Sequence, residues 1–596
     1  MLQELIGDTV KNLNLATTFA DAPGLHFKTS KEFCPQCHTR LKVYRTDTRK
    51  IYLLDIGQCK AHRTFMHCPD CESIFPSEDF EKRVPPYANV GYDVMALAGR
   101  LILCEHHTIK ETVLELKKRN VHISSSQVAC LAERFIVYLS ILHQQSTSLL
   151  KRHILEKGGY ILHVDGTCDG NSPHLISAID EVSNFVLANV KVPGESKDQL
   201  VGFLHQIKVQ YGQPLAVSSD MGRGLLTSIA EVFPGVPHFI CHFHFLRDVG
   251  KDLMEKDYAL VRKKLKSYKI SAKLRYRMRY EFGDNLKNIH VGEIDQIAQG
   301  LEPINLKDTA ALKKLCHVLL LWVLDGKKHG GGFGFPFDRP HTEFYRRLHL
   351  LWEQLSNLQH KCITNKPVFK CITRVLGDLS PLVNDRQGMT AFQGLTKKQR
   401  VFDNLREALS IALPNTTKGL NDRGEDIDMS TIEKRVTLFK DNLVKTRGYH
   451  KSTSYQKLIR QIDKYWEKLF CDPIKVSFPE GDAFIQPQRT NNILEQFFRS
   501  MRRSYRRATG NNSMRKKLQS IIADAPLVKN LDNPEYMDII LNGKDSLQDA
   551  LAEISQQEVV KKMQEAKNDE AKTPREILLL IRQQETMKNL LYLLES

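Results

Sequence analysis

The sequence predicts a multidomain α+β chain, and three observations carry that prediction. Two Cys-x-x-Cys pairs stand near the amino terminus, helical patterning with cap signals follows, and strands alternate with helices from residue 160 onward. A chain of 596 residues is too long for one core, so several domains are expected. We divide it into 31–80, 86–150, 155–255, 256–475, 476–525 and 526–596.

In the first segment, CPQC (Cys34, Cys37) and CPDC (Cys68, Cys71) form two matched knuckles. Two thiolate pairs can surround one structural zinc ion tetrahedrally. The stretch between them is longer than usual and reads as two strands, LKVYRT and IYLLDIG, so 31–80 is expected to be a zinc ribbon with a long hairpin. So small a segment has little apolar core, and metal binding would supply its folding energy. Cys59, His62 and His67 lie near enough in sequence to replace one ligand.

Between Tyr92 and Leu139 the period becomes helical. Val94, Leu97, Ala98, Leu101 and Ile102 mark a first helix. Thr108 with Glu111 and Ser124 with Gln127 have capping-box spacing and open two more, and Asn120 suits the left-handed residue that ends the middle one. This is a helix-turn-helix pattern for 86–150, with Ser125, Ser126 and Gln127 exposed to a major groove. Any three-helix bundle reads the same way; the place after a zinc ribbon favours DNA.

From residue 160 the order is three strands, helix, strand, helix, strand, helix. YILHVDGTCDG, HLISAID and FVLANVKV are the first three strands, Ser196 and Gln199 would cap the next helix, PLAVSSDMG is the fourth strand, and PHFICHFH the fifth. This order matches the ribonuclease H-like fold, in which the first and fourth strands are neighbours. Asp165 and Asp220, at the ends of those strands, would then be adjacent. Two adjacent carboxylates repel unless a cation lies between them. The best third carboxylate is remote. In RTNNILEQFFRSMRRSYRR, Leu494, Phe497, Phe498 and Met501 form an apolar stripe, while Glu495, Arg499, Arg502 and Arg506 follow the opposite side. The bland alternative for that stretch alone is a solvated basic helix.

Bulk properties allow this. Hydrophobic residues are 41% and charged residues 26%, as in ordinary globular proteins, and 86 Lys plus Arg against 69 Asp plus Glu leave a formal +17. A polyanionic partner suits that excess, though mildly basic proteins are common. The first residues lack the basic start and apolar run of a leader. The apolar run VLLLWVL at 318–324 is too short to cross a bilayer. With 13 cysteines, an odd number, a disulfide framework is not expected and a reducing cytoplasm is.

The strings VDGT, SSDMG, ICHFHFLRD and TNNILEQFFRSMRR resemble the D-D-E transposases of bacterial insertion sequences and Mutator-like elements. The resemblance covers about 155–255 and 485–510. It implies a catalytic metal-binding triad of Asp165, Asp220 and Glu495 holding two Mg²⁺ (or Mn²⁺) ions, an accessory Cys-x-x-His pair, Cys241 and His244, and a large α-helical insertion, 256–475, interrupting the ribonuclease H-like core. The last helix of that core falls in 476–525. The partner would be double-stranded DNA, element ends and target, bound by a homodimer or larger oligomer in the bacterial nucleoid. Water would cut the ends first, and the freed 3′-hydroxyl would then attack target DNA. Arg499, Arg502, Arg503 and Arg506 would position phosphates rather than read sequence. Two further readings stay open: a non-catalytic, domesticated DNA-binding protein, and a structure-specific nuclease on the same fold.

Three smaller readings complete the picture. His242-Phe243-His244 on a strand would match the metal site of nucleases with a tyrosine nucleophile, but no paired tyrosine accompanies it. GGGFGFPFDRP at 330–340 lacks the Lys and Ser/Thr of a phosphate-binding loop and reads as a flexible turn. Segment 526–596 reads as a helical tail, apolar around 577–581 and 590–594, suited to dimerisation.

Overall fold

Residues 22–282, 295–296, 299, 305–412, 428–470, 472–478, 481–568 and 575–595 are described in this computed structural model. The stretch read for a leader lies outside them, as do 283–294 and 413–427 of the insertion. The chain divides into two units: Met1–His238 with Ile474–Pro487 and Asn491–Ser596, and Phe239–Pro473 with Gln488–Thr490.

The first unit begins with a sheet in the order β1 (Gly24–Lys28), β3 (Gly57–His67), β2 (Lys42–Leu53), with β4 (Ile74–Phe75) paired to β3. LKVYRT and the start of IYLLDIG lie on one twelve-residue strand, β2, rather than on two. Its return partner is β3, in antiparallel register from Lys42↔His67 to Leu53↔Gly57. The polar run TDTRK between the two apolar stretches does not break the strand, because that part of β2 is exposed or half-buried.

Three helices follow, Tyr92–Leu103, Ile109–Lys118 and Ser125–Gln145. Both capping boxes form: Thr108 and Glu111 exchange side-chain and backbone bonds, as do Ser124 and Gln127. Asn120 takes the expected left-handed conformation at φ 57°. Ser125–Gln145 is long and apolar enough to cross a membrane by length and composition, but most of it is buried inside this unit.

The second sheet runs β7 (Val186–Val192), β6 (His174–Asp180), β5 (Ile161–Thr167), β8 (Ala216–Ser219), β9 (His238–Ile240). β5, β6 and β7 pair antiparallel in sequence order, whereas β5 and β8 are parallel neighbours. The expected adjacency of first and fourth strands is therefore present. Ser196 precedes the helix Lys197–Tyr211, but its side chain makes no cap bond, so the box with Gln199 is absent. The fifth strand is only three residues long.

One hydrophobic cluster runs through the three helices, this sheet and the carboxy-terminal segment as far as Val559. The tail is thus core rather than appendage over much of its length. Tyr536 is fully buried and its hydroxyl lies 2.8 Å from His143 Nδ1, while His143 Nε2 lies 3.0 Å from the Leu187 carbonyl. Asn530 completes the β7 edge as a strand would. Its Oδ1 accepts from Val186 N at 2.7 Å, and its Nδ2 donates to Val186 O at 2.9 Å. Beyond Val559, Ile577, Leu579, Leu580, Ile581, Leu590, Tyr592 and Leu593 are exposed.

Among its described residues the second unit is helical apart from the end of β9. Its central helix, His242–Ser267, packs against Arg386–Ala408 and Pro340–Lys361. Residue 256, the expected start of the insertion, falls inside that helix. The glycine-rich run forms a turn at 335–337 that is tied back on Asp338. Asp338 accepts from Gly331 N and Gly334 N, each at 2.7 Å, and Phe337 stacks on Phe243 at 4.6 Å.

Replacing Asn530 by Ala strands a buried N–H and a buried carbonyl at the β7 edge, which costs about 1–3 kcal/mol. Urea denaturation should show the midpoint of the first unit falling accordingly; an unshifted midpoint would remove Asn530 from the account.

Candidate functional site

The side-chain amide of Asn491 ties the last part of the chain into the second sheet. It is 1% exposed. Its Oδ1 lies 2.9 Å from His163 Nδ1 on β5 and accepts from Ser218 Oγ on β8 at 3.1 Å, while its Nδ2 reaches Val164 O at 3.4 Å. His163 is held from its other side by Glu181, 2.7 Å from Nε2.

Asp165 and Asp220 follow from the register. Val164 pairs with Ser219, so the next position on each strand is Asp165 and Asp220. Alternation puts Asp165 on the face of His163 and Asp220 on the face of Ser218, the face that Asn491 covers. Asp165 is buried, at 6% exposure, and accepts from Gly166 N at 2.7 Å. Asp220 is half-buried and accepts from Gly222 N at 2.9 Å.

Glu495 lies one turn into the helix Asn492–Thr509, its N–H bonded to the Asn491 carbonyl at 3.1 Å. That helix packs on β5 and β6, with Leu494 and Phe498 buried and Phe497, Met501 and Tyr505 half-buried. Its burial turns Glu495 only partly to solvent, at 20% side-chain exposure, with Arg499 4.0 Å away. Arg499, Arg502, Arg503 and Arg506 are all exposed. The same helix joins the helical segment at two points: His106 Nε2 lies 3.0 Å from Ser500 Oγ, and Arg507 pairs with Glu111 at 3.2 Å.

A fourth carboxylate, Glu195, was not singled out by its sequence context. A Cβ on Gly222 would lie 3.1 Å from Asp220 Oδ1 and 3.4 Å from Glu195 Oε2, and one on Gly166 only 2.9 Å from Glu195 Oε1. Glu195 thus borders the glycine after Asp165 and the glycine two residues after Asp220. A Cβ on Gly224 would meet the Glu195 carbonyl at 1.8 Å, so only glycine fits there. His174 Nδ1 holds the Glu195 carboxylate at 2.9 Å. The glycines of VDGT and DMGRG were the available signal.

Among the described residues, one group of three or more His, Cys, Asp or Glu side chains brings all its ligand atoms within 4.8 Å of one another, and it is Cys34, Cys37, Cys68 and Cys71. Sulfur separations are 3.4 Å for Cys34–Cys37, 3.3 Å for Cys37–Cys68 and 3.5 Å for Cys34–Cys71. Four thiolates about 2.3 Å from a tetrahedral zinc would lie about 3.8 Å apart, so this group can hold zinc with little adjustment. The three alternative ligands sit elsewhere. Cys59 is buried in an apolar cluster with Phe27, Ile51 and Phe80, and burial raises its thiol to about 11. His62 stacks on His26, and His67 meets the edge of Tyr44.

Asp165, Asp220 and Glu495 do not gather as tightly as the cysteines. Two ions about 3.5–4 Å apart do not require it. With ligand bonds of about 2 Å to each ion, the outer acids can stand about 8 Å apart.

Cys241 and His244 belong to the second unit. The helix starts at His242, not after His244, so His242 and His244 are two apart on a helix and point to different sides. The strand geometry that would pair them is absent. His242 is a packing residue: its Nε2 lies 2.6 Å from the Leu469 carbonyl, and burial, then Arg489, lower its pKa to about 3. Arg489 donates to Leu409 O at 2.6 Å, and burial lowers it to about 10. Cys241 is buried at the start of the helix and His244 is half-buried in its first turn.

The cysteine group makes a direct prediction. Bonds from Ser73, first side chain and then backbone, lower the Cys71 thiol to about 6, whereas bonds with Cys68 and Cys34 raise Cys37 to about 12. Protons compete with metal at every thiolate. Purified protein should carry one zinc at neutral pH and lose it on acidification, as protons displace the metal from the thiolates. Elemental analysis of wild type and Cys68→Ser checks this; equal zinc in both would discard the site.

No protein-family profile and no curated protein matches this chain. Among solved structures, the Drosophila P element transposase strand transfer complex is similar at 12% identity over 78% of this chain and 94% of that chain, with a TM-score of 0.29.

Proposed function

We propose that this chain is a DNA transposase with a ribonuclease H-like core, in which Asp165, Asp220 and Glu495 bind two divalent ions for phosphoryl transfer. One observation carries the reading. Asp165 on β5 and Asp220, the residue after β8 ends, both directly follow the last registered pair of these neighbouring parallel strands, Val164↔Ser219, and the buried Asn491 fastens the helix bearing Glu495 to the same face. Two partly buried carboxylates on neighbouring strands would repel each other, and a cation between them would offset that repulsion.

Bound Mg²⁺ or Mn²⁺ would supply an activated oxygen nucleophile and neutralise charge on the departing oxygen. The chain's own residues do the positioning. The N–H groups of Gly166 and Gly222 orient the two aspartates. Asn491 sets the start of the third helix, and Arg499, Arg502, Arg503 and Arg506 offer an exposed track for phosphates. The helix-turn-helix presents Ser125, Ser126 and Gln127, all exposed, to element-end DNA. The Cys241–His244 pair, a homodimer or larger oligomer on DNA, and a nucleoid location belong to the same proposal.

A DNA-binding protein without catalysis is the second reading. It is favoured by the looser spacing of the three acids compared with the four cysteines. Cleavage of DNA flanking the protein's own coding sequence, assayed with Mg²⁺, separates the two. Asp220→Asn should reduce cutting to the level without metal while leaving DNA binding intact. Asn491→Ala should lower it about 10- to 100-fold, as loss of a residue that orients metal ligands does. Equal cutting by wild type and Asp220→Asn would refute the site; no cutting by wild type with either metal would leave the binding-only reading.

A further inference from the structure

The second unit contains a cleft of about 840 Å³ whose lining includes Arg262, Lys263, Lys266, Lys269 and Lys327, and no acidic residue. It forms where the last turns of His242–Ser267 meet the first turn of the helix Ile270–Glu281. Lys269, at φ 52°, makes the turn between them. Ser271 and Ala272, in the first turn of the second helix, also line the cleft, so the helix dipole adds positive potential there. Among the described residues none of the five cations is in an ion pair, although acids pair with neighbours such as Lys264, bound to Asp385 at 2.8 Å. Lys327 instead lies 5.0 Å above the Phe344 ring. Mutual repulsion in a concave site is unfavourable unless an anion offsets it.

The helix leading out of the cleft carries two parallel rows. Ser271, Arg275 and Arg279 recur at steps of four, and so do Ala272, Tyr276 and Tyr280. Adjacent rows at that spacing share one face. That face is open: Tyr276 is 57% and Tyr280 64% exposed, with ring centroids 4.6 Å apart, while Ile270 and Leu274 are buried opposite. Exposed tyrosines beside arginines on a basic surface suit unpaired bases, because each base offers a face to stack and each phosphate a charge to neutralise.

We propose that this cleft and helix face hold a nucleic-acid strand with unpaired bases, phosphates in the cleft and bases on Tyr276 and Tyr280. A free nucleotide fits less well. The cleft has no aromatic shelf apart from His341, whose Nδ1 is engaged with Tyr258 at 2.9 Å, and the amides of Gly331 and Gly334 are occupied by Asp338. The proposal goes beyond the cleavage reading and stands whether or not the three acids cut DNA.

Fluorescence anisotropy on the full chain tests it, with labelled oligo-dT, oligo-U and a duplex of unrelated sequence as probes. Lys263→Gln with Lys266→Gln should weaken oligo-dT and lower the slope of log affinity against log salt by about 1.4, at about 0.7 per phosphate contact on a single strand. Tyr276→Ala with Tyr280→Ala should weaken the unpaired probes about 10-fold or more, and duplex binding by under about 2-fold. Bromodeoxyuridine placed in the oligo-dT should crosslink within 262–280, and oligo-U beside oligo-dT shows which sugar is preferred. All substituted residues are on the surface, and unchanged thermal melting verifies folding. Unaltered oligo-dT affinity in both variants, equal losses on duplex and single strand in the tyrosine variant, or crosslinks confined to other peptides would each overturn it. ATP displacing the probe at micromolar concentration would do so too, by making the cleft a nucleotide site.

Discussion

A buried amide must be satisfied, and Asn491 can satisfy its own only on the second sheet. Its partners on β5 and β8, His163, Ser218 and the Val164 carbonyl, are all within 3.4 Å. Asn is a favoured helix N-cap, yet this side chain makes no cap bond to the helix it precedes. The capping capacity goes to the sheet, which fixes where the helix begins. Burial of Leu494 and Phe498 then fixes its rotation. With start and rotation set, the position of Glu495 follows, although hundreds of residues intervene between it and Asp220. Loss of the amide would leave buried polar groups on two strands as well as a loosened helix.

The same unit shows why division by sequence segment misleads. The three capped helices, the second sheet and the segment around Tyr536 share one apolar cluster. His143 sits at their junction, with the Leu187 carbonyl and the hydroxyls of Tyr211 and Tyr536 within 3.0 Å. Burial lowers its pKa, so protonation opposes folding as the pH falls through the ordinary histidine range. The helix that presents Gln127 at its start therefore ends inside the core that supports Asp165. Two surface links, His106 with Ser500 and Arg507 with Glu111, connect the helix of the third acid to the same bundle.

What could be read in advance was local. The Thr108–Glu111 and Ser124–Gln127 boxes depend on four consecutive residues, and both formed. The cysteine pairs depend on knuckle geometry, and the adjacency of β5 with β8 on element order. The Ser196–Gln199 box had equally good spacing and is absent. There the chain is drawn against Gly224, whose missing side chain admits the Glu195 carbonyl, a contact between a loop and the first turn of the helix Arg223–Val232 that no local pattern encodes. The start of the helix at His242 was hidden for a similar reason: ICHFHF alternates like a strand, but its apolar residues are buried helically, Phe243 against Phe337 and Phe245 with Leu246 in the interior. The role of 526–559 was hidden because short helices look alike whether they cover a core or hang from it.

Charge decides how an acidic site can face a polyanion. Asp165, Asp220, Glu195 and Glu495 would repel a phosphodiester if they acted alone. On the helix of Glu495 the next turns carry Arg499, Arg502, Arg503 and Arg506, all exposed, and Arg499 is already within 4.0 Å of the acid. A pair at 4.0 Å whose arginine is half-exposed contributes little to folding, and its helix is held by Leu494, Phe498 and Asn491 instead. The arginines are therefore not needed for stability where they stand. In the proposed reading they compensate phosphate charge beside the carboxylates, which would account for a strongly basic face on a helix whose buried residues alone would suffice to dock it.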